Sequence, residues 1–106
     1  MRSKIAESLI DVEAQLRQLG LWQMKPPPSE ALASTEPFCV DTLSLPQWLQ
    51  FVFLPTLYQL LEQQLPLPER CAVTPMAEEY FRASHLATEE LLMVLAKLDV
   101  LISETP

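Results

Sequence analysis

From Trp48 to Leu54, through Leu49, Phe51, Val52 and Phe53, the chain is apolar almost all the way round a helix, and Pro55 follows at once. A helix without a polar face has to be enclosed by other elements. A proline within it removes one amide and crowds the carbonyl four residues back, here that of Phe51, so the helix is expected to kink or divide at Pro55. Whatever else the chain does, it must supply partners to cover this segment.

The start of that helix is written in Ser44-Leu45-Pro46-Gln47, a capping-box pattern. Ser44 can accept from the third amide, Gln47 can reach back, and Pro46 stands early enough to need no amide bond. Beyond Pro55 the stripe of Leu57, Leu60 and Leu61 is one-sided, with Gln59, Glu62, Gln63 and Gln64 outside. Leu65-Pro66-Leu67-Pro68 then enforces an extended exit.

The partners are amphipathic helices. Ile5, Leu9, Val12, Leu16 and Leu19 recur in alternating steps of four and three, which predicts a helix from about Ser3 to Leu19. Gly20, the chain's single glycine, suits a left-handed stop, after which Leu21 and Trp22 fold back on the last turn. Thr74 and Pro75 read as N-cap and first position of a short third helix, with Glu78 and Glu79 in its early turns and Met76, Tyr80 and Phe81 facing inward. Ser84 or Thr88 caps a fourth helix, where Leu91, Val94, Leu95, Leu98, Leu101 and Ile102 form the apolar face and Glu89, Glu90, Lys97 and Asp99 stay in water.

No segment alternates with period two, so strands have little support. The expectation is an all-α, four-helix bundle-like fold occupying residues 1–106 as a single helical domain. It has three long helices of roughly 25–30 Å, one short helix and a long crossover after helix one.

That crossover is the unusual connection. Pro26, Pro27 and Pro28 favour polyproline II geometry, and Ser29 with Glu30 can cap a turn over Ala31 to Ala33. Phe38, Val40 and Leu43 are placed to pack it down. At roughly 20 residues it is long for a compact domain, a length that points to function or to self-packing.

Fourteen acids against 7 bases give a formal net charge of −7. An anionic exterior repels phosphate and anionic lipid, so direct nucleic-acid binding and membrane-surface binding are disfavoured, whereas solubility, or a basic protein partner, fits. The first residues lead into an amphipathic segment rather than an apolar run, and no stretch is long enough to span a membrane, so a cytoplasmic location is expected. Cys39 and Cys71 lie far apart among apolar neighbours and read as reduced, buried thiols.

Chemistry is sparse. His85, the one histidine, falls a turn before Glu89, yet no Glu-x-x-His motif exists to build a di-iron site, and a surface or capping role is the simpler reading. Cys39 and Ser84 have only that imidazole to activate them and no glycine loop for an oxyanion. A single glycine also rules out phosphate-binding loops. Glu78-Glu79 and Glu89-Glu90 are read as complements to helix dipoles. The expectation is a non-enzymatic chain without catalytic or metal-ligating residues and without a cofactor.

What remains is a surface. Pro37, Phe38, Asp41, Thr42, Trp48 and Pro55 form the candidate partner or ligand surface, with Asp41 and Thr42 more simply read as caps into helix two. An apolar cleft left open by Pro37, Phe38 and Trp48 would suit a partner helix or peptide. The alternative is a small-ligand-binding bundle with a pocket at the Pro55 kink. Met76, Tyr80 and Phe81 either complete the core or lie on a homodimer face.

The ordered run Ser34-Thr35-Glu36-Pro37-Phe38, Asp41-Thr42, Trp48-Leu49-Gln50, Pro55, Leu60-Leu61, Pro66-Leu67-Pro68 and Val73-x-Pro75 resembles the YqcC-like family of small bacterial proteins. The resemblance covers most of the chain and implies an all-helical bundle with no catalytic residue to carry over. Family genes can lie beside a gene for a tRNA pseudouridine synthase, which implies a protein partner of that RNA-modifying kind and an accessory role.

Overall fold

In a computed structural model, which describes residues 2–104, the first stripe becomes helix α1 (Arg2–Gln18) with Ile5, Leu9, Val12 and Leu16 fully buried. Gly20 ends it at φ +74°. The Leu21 amide donates to the Leu16 carbonyl at 2.8 Å and the Gly20 amide to that of Arg17 at 3.1 Å, the paired bonds of a left-handed C-terminal stop. Trp22 returns over the last turn, its ring centroid 4.5 Å from the Arg17 guanidinium.

The crossover contains one turn of helix, α2 (Ser29–Leu32), and a 3₁₀ turn at Pro37–Cys39. Pro28 takes the N-cap position of α2 and offers no side-chain acceptor, so Ser29 lies within the turn rather than capping it. Leu43 is buried and Phe38 half-buried, while Val40 stays exposed.

Residues 45–62 form one continuous helix: α3 (Leu45–Trp48), a wide π turn (Leu49–Phe53) and α4 (Leu54–Glu62). The capping box is present as read, with the Gln47 amide donating to Ser44 Oγ at 3.3 Å and the Ser44 amide to Gln47 Oε1 at 2.8 Å. Pro55 neither divides the helix nor sits at its irregularity. That irregularity falls in the turn before, where the Leu54 amide reaches five residues back to the Leu49 carbonyl.

The wide turn also corrects register. Leu45, Leu49, Phe53 and Leu57 are all buried, at four-residue steps. In an unbroken α-helix each such step drifts by about 40°, or roughly 120° over three, which would carry Leu57 off the face that Leu45 occupies. A turn holding one more residue absorbs part of that drift.

Helix α4 ends as α1 does, but with Gln64 rather than glycine at φ +56°. The Leu65 amide donates to the Leu60 carbonyl at 2.9 Å and the Gln64 amide to that of Leu61 at 3.2 Å. The extended exit leads to α5 (Val73–Phe81), then to α6 (Glu89–Glu104). Helix α1 packs along α6 and against α4, and α5 packs on α6. One core joins Leu9, Leu49, Leu54, Leu91, Leu95 and Ile102. The radius of gyration, 13.4 Å, matches the about 13 Å of a folded chain near this length.

The chain is all-α, with three long helices and one short one around a shared core, and no strand among the described residues. Three further expectations are corrected. Tyr80 is exposed, because the inner face of α5 is set by Val73, Ala77 and Phe81, one turn apart each time. Thr74 is not the N-cap, which falls at Ala72 and brings no side-chain acceptor. Asp99 is half-buried rather than in water and supplies the missing acceptor from α6. Thr88 precedes α6, its carbonyl accepting from Leu92 at 2.9 Å, whereas Ser84 accepts from the Leu86 amide and builds a turn. Among the described residues, no helix is long and apolar enough to cross a membrane.

Candidate functional site

The site begins at the crossover's corner. Phe38 and Cys39 are consecutive non-glycine residues in the left-handed region, at φ +57° and +50°, a conformation that costs of order 1 kcal/mol or more per residue. Backbone bonds hold it there, the Cys39 amide to the Glu36 carbonyl at 3.0 Å and the Leu43 amide to the Cys39 carbonyl at 2.8 Å. Asp41 and Thr42 secure the same loop instead of capping the next helix. Ser34 Oγ donates to Asp41 Oδ1 at 2.5 Å, and Thr42 Oγ1 donates to the Ala31 carbonyl at 2.7 Å.

The corner thrusts the Phe38 ring against Trp48 in an edge-to-face contact, centroids 4.8 Å apart, and Trp48 in turn lies 5.2 Å from Phe53. Both Phe38 and Trp48 are half-buried. Between them, the outer wall of the π turn at Val52, Thr56 at the start of α4 and the extended strand of chain entering α5 lies an open cleft of about 290 Å³. A second depression of about 100 Å³ lies on the far side of Phe38, bordered by Val40, Met76 and Tyr80. Phe38 is the wall they share.

Of the six residues singled out from sequence, the structure brings Phe38 and Trp48 together in this cleft. Asp41 and Thr42 are loop fasteners. Pro37 and Pro55 are exposed and line neither hollow, although Thr56, next to Pro55, lines the larger one.

Two features escaped the sequence reading. Buried Gln50 clasps the crossover by accepting from the Gln23 amide at 2.9 Å and donating to the Gln23 carbonyl at 2.8 Å, which ties the loop to the π turn. A lone amide in an otherwise apolar turn was the available signal. The second is a node behind the lining residues Cys71 and Val73, where Asp99 Oδ1 accepts from the Val73 amide at 3.0 Å and from the Cys71 thiol at 3.1 Å, and Oδ2 accepts from the Thr74 amide at 2.8 Å. Ser103 Oγ accepts from the Cys71 amide at 2.9 Å.

Both cysteines are free thiols, Cys39 buried and Cys71 half-buried. Burial, followed by the adjacent Asp99, pushes the Cys71 thiol up to about 12. A thiol held protonated is a poor nucleophile and a poor metal ligand. His85 is exposed, and no group of three or more His, Cys, Asp or Glu among the described residues is arranged to hold a metal ion.

The family model DUF446, described as tRNA pseudouridine synthase C, matches residues 4–101. A Haemophilus influenzae protein carried under the name "Uncharacterized protein" is 39% identical over 101 residues, covering 95% of this chain and 94% of its own length. The Escherichia coli protein YqcC is 36% identical over 93 residues, 88% of this chain and 85% of that one. A Pectobacterium carotovorum protein named tRNA pseudouridine synthase C is 47% identical over 66 residues, which make up 62% of this chain but only 18% of that protein. The solution structure of E. coli YqcC superposes with a TM-score of 0.86 at 32% identity, covering 99% of this chain and 90% of that one. With sequence and fold shared along nearly its whole length, the chain belongs to DUF446, the bacterial family that includes YqcC.

Proposed function

We propose that this chain is a non-enzymatic accessory module that docks a tRNA pseudouridine synthase through the Phe38–Trp48 cleft and works in the cytoplasm. The observation that carries the reading is the cleft itself, an apolar hollow of about 290 Å³ walled by half-exposed aromatics and held open by a strained, fastened corner. Partly exposed aromatic side chains in a preformed hollow are the usual anchors of protein interfaces.

The partner's identity draws on the Pectobacterium carotovorum protein, in which a stretch like this chain makes up 18% of a polypeptide named for the synthase. Joining two proteins in one chain raises their effective concentration to about millimolar, the covalent counterpart of docking. The net charge of −7 complements an enzyme basic enough to hold tRNA and leaves RNA contact to that enzyme.

A small apolar ligand is the second reading, because about 290 Å³ lies near the lower end of small-molecule pockets, roughly 300 Å³. The open side of the cleft favours a protein segment over an enclosed ligand. Calorimetric titration with the same organism's tRNA pseudouridine synthase C tests the proposal. A one-to-one complex at about micromolar Kd or tighter, weakened about tenfold or more by Trp48→Ala, is expected. No binding at about 100 μM would overturn it.

A further inference from the structure

Among the residues lining the large cleft, Arg70 alone is charged. It is exposed, and the ion pairs among the described residues join other cations, Arg17 with Glu13 and Arg82 with Glu79. The carboxylate behind the lining residues Cys71 and Val73, that of Asp99, is engaged with the Val73 and Thr74 amides and the Cys71 thiol. Glu69, the chain neighbour of Arg70, is exposed and outside the lining. A molecule of net charge −7 thus presents an unpaired cation in the lining of this apolar cleft.

We infer that the cleft receives a segment of the partner enzyme in which a bulky apolar side chain is accompanied by an Asp or Glu. The apolar group seats between Phe38, Trp48 and Val52, and the carboxylate pairs with Arg70. The guanidinium fork matches a carboxylate's two oxygens, so the pair fixes the segment's direction as well as adding attraction. A Lys or Arg in the same place would meet a like charge in a lining that holds no carboxylate. A second apolar side chain of the same segment fits the smaller depression across Phe38. The choice of enzyme rests on the function proposed above, whereas the preference for a carboxylate rests on the cleft alone.

Two measurements separate these. In titrations with the synthase, Arg70→Glu is expected to weaken binding about tenfold or more, Arg70→Lys less, with the difference shrinking in about 0.5 M salt. In NMR titrations without the enzyme, 4-phenylbutyrate should shift the Phe38 and Trp48 signals at millimolar concentration, 4-phenylbutylamine several-fold more weakly, and Arg70→Glu should reverse that order. Synthase binding that is indifferent to Arg70→Glu, or fragments bound without regard to charge, overturns the inference and leaves the proposed function standing. A carboxylate preference in a chain that does not bind the synthase supports the inference and removes that enzyme as the partner.

Discussion

Asp99 caps a helix to which it does not belong: its Oδ2 accepts the Thr74 amide at 2.8 Å, across from α6 to the first turn of α5. Ala72, at the N-cap position of α5, has no acceptor to offer. Asp99 therefore fills the role of a capping side chain and places its negative charge at the positive end of the α5 dipole. Asp99→Ala is expected to lower stability by about 1–3 kcal/mol, and Asp99→Asn by less, in urea denaturation. An unchanged midpoint for Asp99→Ala would mean that the cap contributes nothing.

The thiol beside that carboxylate gives the fold a pH dependence. Cys71 is pushed up to about 12 from an ordinary 9.0, by burial first and Asp99 second. The folded chain keeps a proton that the unfolded chain releases, so this contribution to stability is whole below pH 9 and is lost as pH rises towards 12. Cys71→Ala should flatten the alkaline fall of the melting temperature. In a Cys39→Ser background, iodoacetamide at about pH 8 should alkylate Cys71 at least tenfold more slowly than the denatured chain, by mass spectrometry. Equal rates would place the thiol in ordinary surroundings.

The ends of α1 and α4 form a matched pair. Gly20 and Gln64 occupy equivalent left-handed positions, at φ +74° and +56°, yet only one is glycine. Gln64→Gly is expected to raise stability by about 0.5–1 kcal/mol, and Gly20→Ala to lower it by about 1 kcal/mol although a Cβ there meets no neighbouring atom within 4 Å. Thermal denaturation of both variants reads the two signs, and a loss of stability in Gln64→Gly would contradict the account.

Pro55 offers a third contrast. An interior proline costs a helix about 3 kcal/mol, but here the wide turn before it has already rearranged the hydrogen bonds, and the buried positions Leu49, Phe53 and Leu57 depend on that turn. Pro55→Ala is expected to change stability by less than about 1 kcal/mol, because restoring the amide leaves the packed register in place. A gain near the full proline penalty in urea denaturation would show that the turn is a consequence of Pro55 alone.

Much of the fold was legible because its signals are local. The stripes of α1 and α6 repeat within a few turns, and the Ser44–Gln47 box spans a single one. The misreadings involve partners distant in sequence. By sequence Asp99 is one more acid on a wet face, since nothing near it reveals that Val73 and Thr74 will come to it. A helix start at Thr74 assigns the inner face by its large side chains and turns Tyr80 inward, whereas small Ala77 decides it. Within the site, the Phe38–Trp48 pairing follows from aromatic content, but the left-handed corner that aims Phe38 carries neither glycine nor asparagine to announce it. Asp41 and Thr42 stand where caps of the next helix would, although their bonds run back to Ser34 and Ala31.

The wide turn at Leu49–Phe53 also gives the cleft an origin in counting. Between Leu49 and Leu54 the helix holds one residue more than an α-helical path would take, and this is the stretch that contributes Val52 and Phe53 to the cleft wall. The hollow's shape is thus set by chain length as much as by side-chain identity: a turn one residue shorter would rotate Trp48 relative to Thr56 and Leu57, which line the same cleft from its other side.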